Sequence, residues 1–72
     1  MNPQLIISVS DLGAMIRRRR KEAGFTQARL AAFLGCGVRF VSELERGKQT
    51  VELGKVLAIL SGLGLELRVN EK

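Results

Sequence analysis

Apolar positions along the chain follow two periods, and the change from one to the other divides it into elements. Leu12, Met15, Ile16 and Ala23 recur at helical spacing, the mark of a helix with one buried face. Ser10 is suited to cap it, Asp11 adds negative charge at the positive end of its dipole, and Gly24 stops it. The same period returns in Leu30, Phe33 and Leu34, after Thr26, whose hydroxyl can accept a free amide hydrogen of the first turn. Gly35 ends this second helix, since a left-handed C-cap costs glycine nothing. Gly37 is a tolerable N-cap for a third helix. That helix sets Val41 and Leu44 on one face, leaves Arg39, Ser42, Glu43 and Arg46 on others, and closes at Gly47. Ala31 falls where the second and third helices would cross, and its small side chain allows close approach.

A fourth helix is expected from near Thr50, which can cap it, with Glu52 in the first turn. Its apolar band is wide. Leu53, Val56, Leu57 and Leu60 suffice for the core, which leaves Ile59 and Leu63 for a second surface such as a dimer contact. The period then drops to two, in Leu65-Glu66-Leu67-Arg68-Val69-Asn70, which reads as a half-buried strand. Near the start, Ile6, Ile7 and Val9 also favour a strand. A lone strand cannot satisfy its backbone groups, so these ends should pair with each other or with a second copy. The expected fold is mainly α and a single domain over residues 1–72. Its helices lie at about 11–23, 26–34, 38–46 and 51–63, and its short terminal strands at about 5–9 and 65–69.

With 72 residues the core is marginal, because a chain of about 60 residues buries only roughly 60% of its unfolded surface. Help from a partner chain is therefore expected. The net charge of +5 suits a polyanionic partner. In a helix, Arg17-Arg18-Arg19-Arg20-Lys21 projects all round the axis and reads as a solvated face with one or two phosphate contacts. Arg20 stands apart, four residues after Ile16 on the edge of the buried stripe. One cysteine excludes an internal disulfide, and with no histidine neither a metal site nor a cofactor is expected. With no nucleophile–base pair and little room for a pocket, the reading is not an enzyme. The apolar run Leu5-Ile6-Ile7 lacks a basic segment before it and does not read as a signal peptide. A cytoplasmic, nucleoid-associated location is the expectation.

Gly24-Phe25-Thr26-Gln27, Leu30-Ala31, Leu34-Gly35 and Leu44-Glu45-Arg46-Gly47 together resemble the Xre/Cro/CI helix-turn-helix family, over about residues 12–63. The run from Gly37 to Lys48, followed by a leucine-rich helix, is most similar to the HipB-type antitoxins of type II toxin–antitoxin systems. The resemblance implies a four-helix, lambda-repressor-like fold and a homodimer; the terminal strands are expected to pair across that dimer rather than within the chain, because the fourth helix has apolar residues to spare. The resemblance also implies repression of the protein's own operon at a palindromic operator, and a HipA-like kinase toxin as partner.

Carried over position by position, Gln27 would contact a phosphate and brace the recognition helix. Gly37, Val38 and Arg39 would begin that helix, where base edges are reached, with Ser42 and Glu43 one turn on. Arg46, Lys48 and Thr50 match positions that contact the DNA backbone, and Arg20 and Glu45 match a buried ion pair. Gly37 and Val38 depart from the usual polar residues, so base reading should rest largely on Arg39. Phe40 also departs from a small or polar residue, and reads as core or as a contact to a thymine methyl. Glu43 could accept from a cytosine amine, or orient Arg39 or Arg46. Cys36 reads as a small core hydrophobe. Two rival functions stand beside the antitoxin: a stand-alone or phage-type regulator, and an interaction module that has lost DNA binding.

Overall fold

The structure is a computed structural model that describes residues 4–72. Its elements are α1 (Val9–Glu22), α2 (Gln27–Leu34), α3 (Val38–Glu45) and α4 (Leu53–Gly62). The mainly α, four-helix expectation holds. Among the described residues there is no strand.

α1 is capped by Ser8, not by Ser10. Asp11 decides this. It lies three residues after Ser8, so its amide donates to the Ser8 hydroxyl at 3.1 Å while its carboxylate accepts the Ser8 amide at 3.2 Å and the Ile7 amide at 3.0 Å. This reciprocal box satisfies donors that Ser10 has no acidic partner to match. It also draws Val9 into the helix and out of the expected strand. The α2 signals act as read. The amide of Arg29 donates to the Thr26 hydroxyl at 3.1 Å, and Gly35 closes the helix at φ +70°, a conformation open to glycine and strained for other residues.

The core is Ile16, Leu30, Ala31, Val41, Leu44, Val56, Ile59, Leu60 and Leu63, with Leu12, Leu34, Cys36 and Phe40 half-buried against it. Phe33 turns outward and meets Phe25, with ring centroids 5.8 Å apart. Gly13 lets α1 and α3 touch. A Cβ there would fall 2.8 Å from the Glu45 carbonyl oxygen and closer still to that of Leu44. Helical spacing in α1 carried no hint of this contact.

α4 corrects the expected division of its apolar band. Ile59 and Leu63 are buried, at 1% and 3% exposure, while Leu53 and Leu57 stand out at 62% and 43%. Val56, Ile59, Leu60 and Leu63 make one stripe at three- and four-residue steps, and the docking of α4 on the other helices turns that stripe inward. The helix begins at Leu53 after Glu52, so Thr50 lies in the preceding turn and caps nothing.

The strands expected at 5–9 and 65–69 are absent. The first segment is non-helical up to Ser8, and the tail carries one half-buried residue, Leu65, before running exposed from Glu66. No backbone hydrogen bond joins the two segments among the described residues. A ladder needs a second strand alongside, and the described residues of one copy do not supply it.

Candidate nucleic-acid interface

The site is built on α3, which is anchored at its C-terminal end. Glu45 accepts from Arg20 Nε at 2.6 Å and from Nη2 at 3.0 Å, a bidentate pair whose side chains are 2% and 7% exposed respectively. The remaining guanidinium nitrogen, Nη1, donates to the Phe25 carbonyl at 2.7 Å. Gln27 Nε2 donates to Glu45 at 3.1 Å. Burial pushes the Glu45 carboxyl up, but the bonds from Arg20 and Gln27 outweigh it and hold the group below its ordinary value. The same bond, donated to Glu45, holds the Arg20 guanidinium above its ordinary value. No buried side-chain nitrogen or oxygen among the described residues lacks a partner, the condition under which a buried pair is tolerated. α1, the start of α2 and the end of α3 are thereby locked together.

The outward face of α3 has the opposite character. Gly37 caps the helix with no side-chain bond, Val38 is half exposed, and Ser42 is half-buried. The Arg39 side chain is 89% exposed and donates through Nε to Glu43 Oε1 at 2.7 Å, an i,i+4 pair. Lys48 Nζ donates to the other oxygen of the same carboxylate. Hydrogen bonds from Lys48 and then from Arg39 hold the Glu43 carboxyl below the usual range. Arg39, Glu43, Arg46, Gly47 and Lys48 line an open cleft of 380 Å³. A second cleft of 530 Å³, between residues 6–9, Leu12 and Gln49, contains none of the expected site residues. Thr50 is exposed in the α3–α4 turn, outside the Arg39–Glu43–Lys48 cluster.

Three contacts lay beyond sequence spacing. Lys48 reaches Glu43 across the Gly47 turn, at a separation no helix rule marks. Arg19 Nε donates to the Leu63 carbonyl at 3.1 Å and ties α1 to the end of α4. Lys55 Nζ, on α4, sits 5.6 Å from the centre of the half-buried Phe40 ring. Cys36 is a half-buried free thiol packed on the core. Among the described residues no acidic, cysteine or histidine group is placed to hold a metal, and no helix is long and apolar enough to cross a membrane.

Residues 11–70 match the model of the helix-turn-helix domain family. The chain belongs to that family. It is 43% identical, over 60 residues, to the uncharacterized HTH-type transcriptional regulator y4mF of Sinorhizobium fredii; the match covers 83% of this chain and 79% of that protein. Its fold matches solved HipB structures. Against a HipB variant in an O2 20mer complex the TM-score is 0.87 at 27% identity, covering 97% of both chains. Against a HipA-HipB-O2-O3 complex the TM-score is 0.86 at 26% identity, covering 96% of this chain and 97% of that one. The Xre-type, HipB-like reading of the motifs is borne out, and the protein is a helix-turn-helix transcriptional regulator.

Proposed function

We propose that this helix-turn-helix protein is a sequence-specific DNA-binding autorepressor that acts as a homodimer on a palindromic operator and serves as antitoxin to a HipA-like kinase toxin. The observation that carries the reading is the α3 face. Arg39 on α3, and Arg46 and Lys48 just past its end, stand out to solvent, while Arg20, Glu45 and Gln27 lock the inner side of the helix to the scaffold. A rigid mount with exposed cations at its surface suits a helix that enters a major groove.

In this reading Gly37, Val38, Arg39, Ser42 and Glu43 face the base edges, with Arg39 as the main reader of guanine. Gln27, Arg46, Lys48 and Thr50 contact the backbone and set register. Leu53 and Leu57 on α4, together with Leu5, Ile7, Leu67 and Val69 at the ends, are exposed apolar residues that a second copy would cover. The terminal strands would form in that dimer. The likeness to HipB complexes, one of them with HipA, supports the antitoxin role. The site of action would be the cytoplasm, on the nucleoid.

Footprinting on the DNA upstream of the gene tests the reading. Protection of one inverted repeat, with half-sites about 34 Å apart, is expected; uniform protection would overturn it. The likeness to a relative described only as a transcriptional regulator favours a second reading, in which no toxin is involved. Co-purification of a kinase with the tagged full chain separates the two.

A further inference from the structure

Glu43 uses both of its carboxylate oxygens on cations of its own chain. Oε1 takes Arg39 Nε at 2.7 Å, and Oε2 takes Lys48 Nζ. The Glu43 side chain is 16% exposed, while those of Arg39 and Lys48 are 89% and 49% exposed. The glutamate therefore lies beneath the two cations it holds. Arg39 is gripped only at Nε, and among the described residues its two terminal nitrogens make no hydrogen bond. Those two nitrogens form the end of the fork that can grip guanine O6 and N7. Lys48, held from the turn after α3, has no comparable fixed geometry to offer a base.

We infer that Glu43 is a positioning residue that sets specificity. It anchors Arg39 by Nε so that the terminal nitrogens face a base edge, and it draws Arg39 and Lys48 away from phosphates in general. This rests on the DNA-binding reading above and assigns Glu43 a role there. A cytosine amine would have to displace one of the two cations to reach the carboxylate. Sequence-independent affinity comes from phosphates neutralised by lysine and arginine. A carboxylate that occupies two of those cations lowers that background, while the free end of Arg39 keeps its contact at the right sequence. Discrimination between sites is the ratio of the two affinities.

The test compares the full-length wild-type chain with Glu43→Gln, on a random-sequence 20-base-pair duplex and on a duplex selected by the wild type from a random pool. Glu43→Gln should bind the random duplex more tightly, on the order of tenfold at about 50 mM salt for each phosphate gained. Its log–log salt slope should steepen by about 0.9 for each such phosphate. Affinity for the selected duplex should rise less, so the ratio falls. In a Lys48→Ala background the gain in slope should shrink.

Equal affinity and slope for wild type and Glu43→Gln on both duplexes would overturn the inference while leaving DNA binding intact. So would an unchanged slope with loss of discrimination confined to one C·G pair, which would make Glu43 a base reader. Loss of binding by both Glu43→Gln and Glu43→Ala with a lowered melting temperature would make it a residue of the fold, and would also overturn the inference. A wild-type chain that shifts neither duplex would overturn the DNA-binding reading and this inference with it.

Discussion

α3 carries two acid–base clusters, two residues apart, that differ in almost every respect. Glu45 faces inward, where Arg20 and Gln27 meet it in fixed geometry and the side chains of the Arg20–Glu45 pair are almost wholly buried. Glu43 faces outward and holds Arg39 and Lys48, which remain largely in solvent. The inner cluster cannot exchange partners without exposing a charge to the core. The outer one can, because its cations are already largely in solvent, where water screens the loss of a partner. Carboxylate–cation pairing thus serves as a rivet on one side of the helix and as an adjustable contact on the other, and burial together with bidentate geometry makes the difference.

Breaking the inner cluster should have the largest effect. Arg20→Ala or Glu45→Ala leaves one buried charge without its partner and should cost about 3–5 kcal/mol, read as a fall in the denaturant midpoint at constant slope. Replacing both residues by apolar side chains of similar volume should recover most of that loss. A double variant no more stable than the singles would show that the pair is not the source of the cost.

Acid should act next, and through the same residue. The Glu45 carboxyl in the folded chain lies below its ordinary value of 4.5. A depressed carboxyl contributes stability that is present above the unfolded value and is lost as pH falls through the folded one. Melting temperature should therefore decline as pH drops below the ordinary carboxylate range. Glu45→Gln, less stable throughout, should show a shallower decline over that window. Glu43, also depressed and close to the surface, adds a smaller loss of the same sign.

The smallest effect on stability should come from the outer cluster. Arg39→Ala should leave the melting temperature nearly unchanged, since surface pairs contribute little. It should nonetheless weaken binding to the selected duplex about ten- to a hundredfold, the range for one bidentate base contact. An Arg39→Ala chain that melts several degrees lower, or that binds its selected duplex as the wild type does, would erase the contrast between the two faces of α3.

Much of this frame was legible in the residues. Thr26 and Gly35 act on their immediate neighbours, so the limits of α2 follow from short-range hydrogen bonding and from a backbone angle only glycine takes easily. Arg20 drew attention by its place on the edge of a buried stripe, and it lies 2.6 Å from Glu45. The Ser8 cap was legible as well, since Asp11 stands three residues after Ser8 at capping-box spacing, which Ser10 lacks. Other features were not legible. The Glu43–Lys48 contact depends on how the Gly47 turn folds back, which no periodicity encodes.

The sequence by itself determined four helices, the turn between α2 and α3, and the membership of most of the core, because each of these depends on residues a few positions apart. Only the tertiary structure decided that Ile59 and Leu63, not Leu53 and Leu57, turn inward, and that Gly13 lies under the end of α3. It also decided that the alternating tail forms no ladder with the other described residues of its own chain. In each of these cases the partner surface comes from far along the chain or from outside it, and a local pattern states which residues seek burial but not what will cover them.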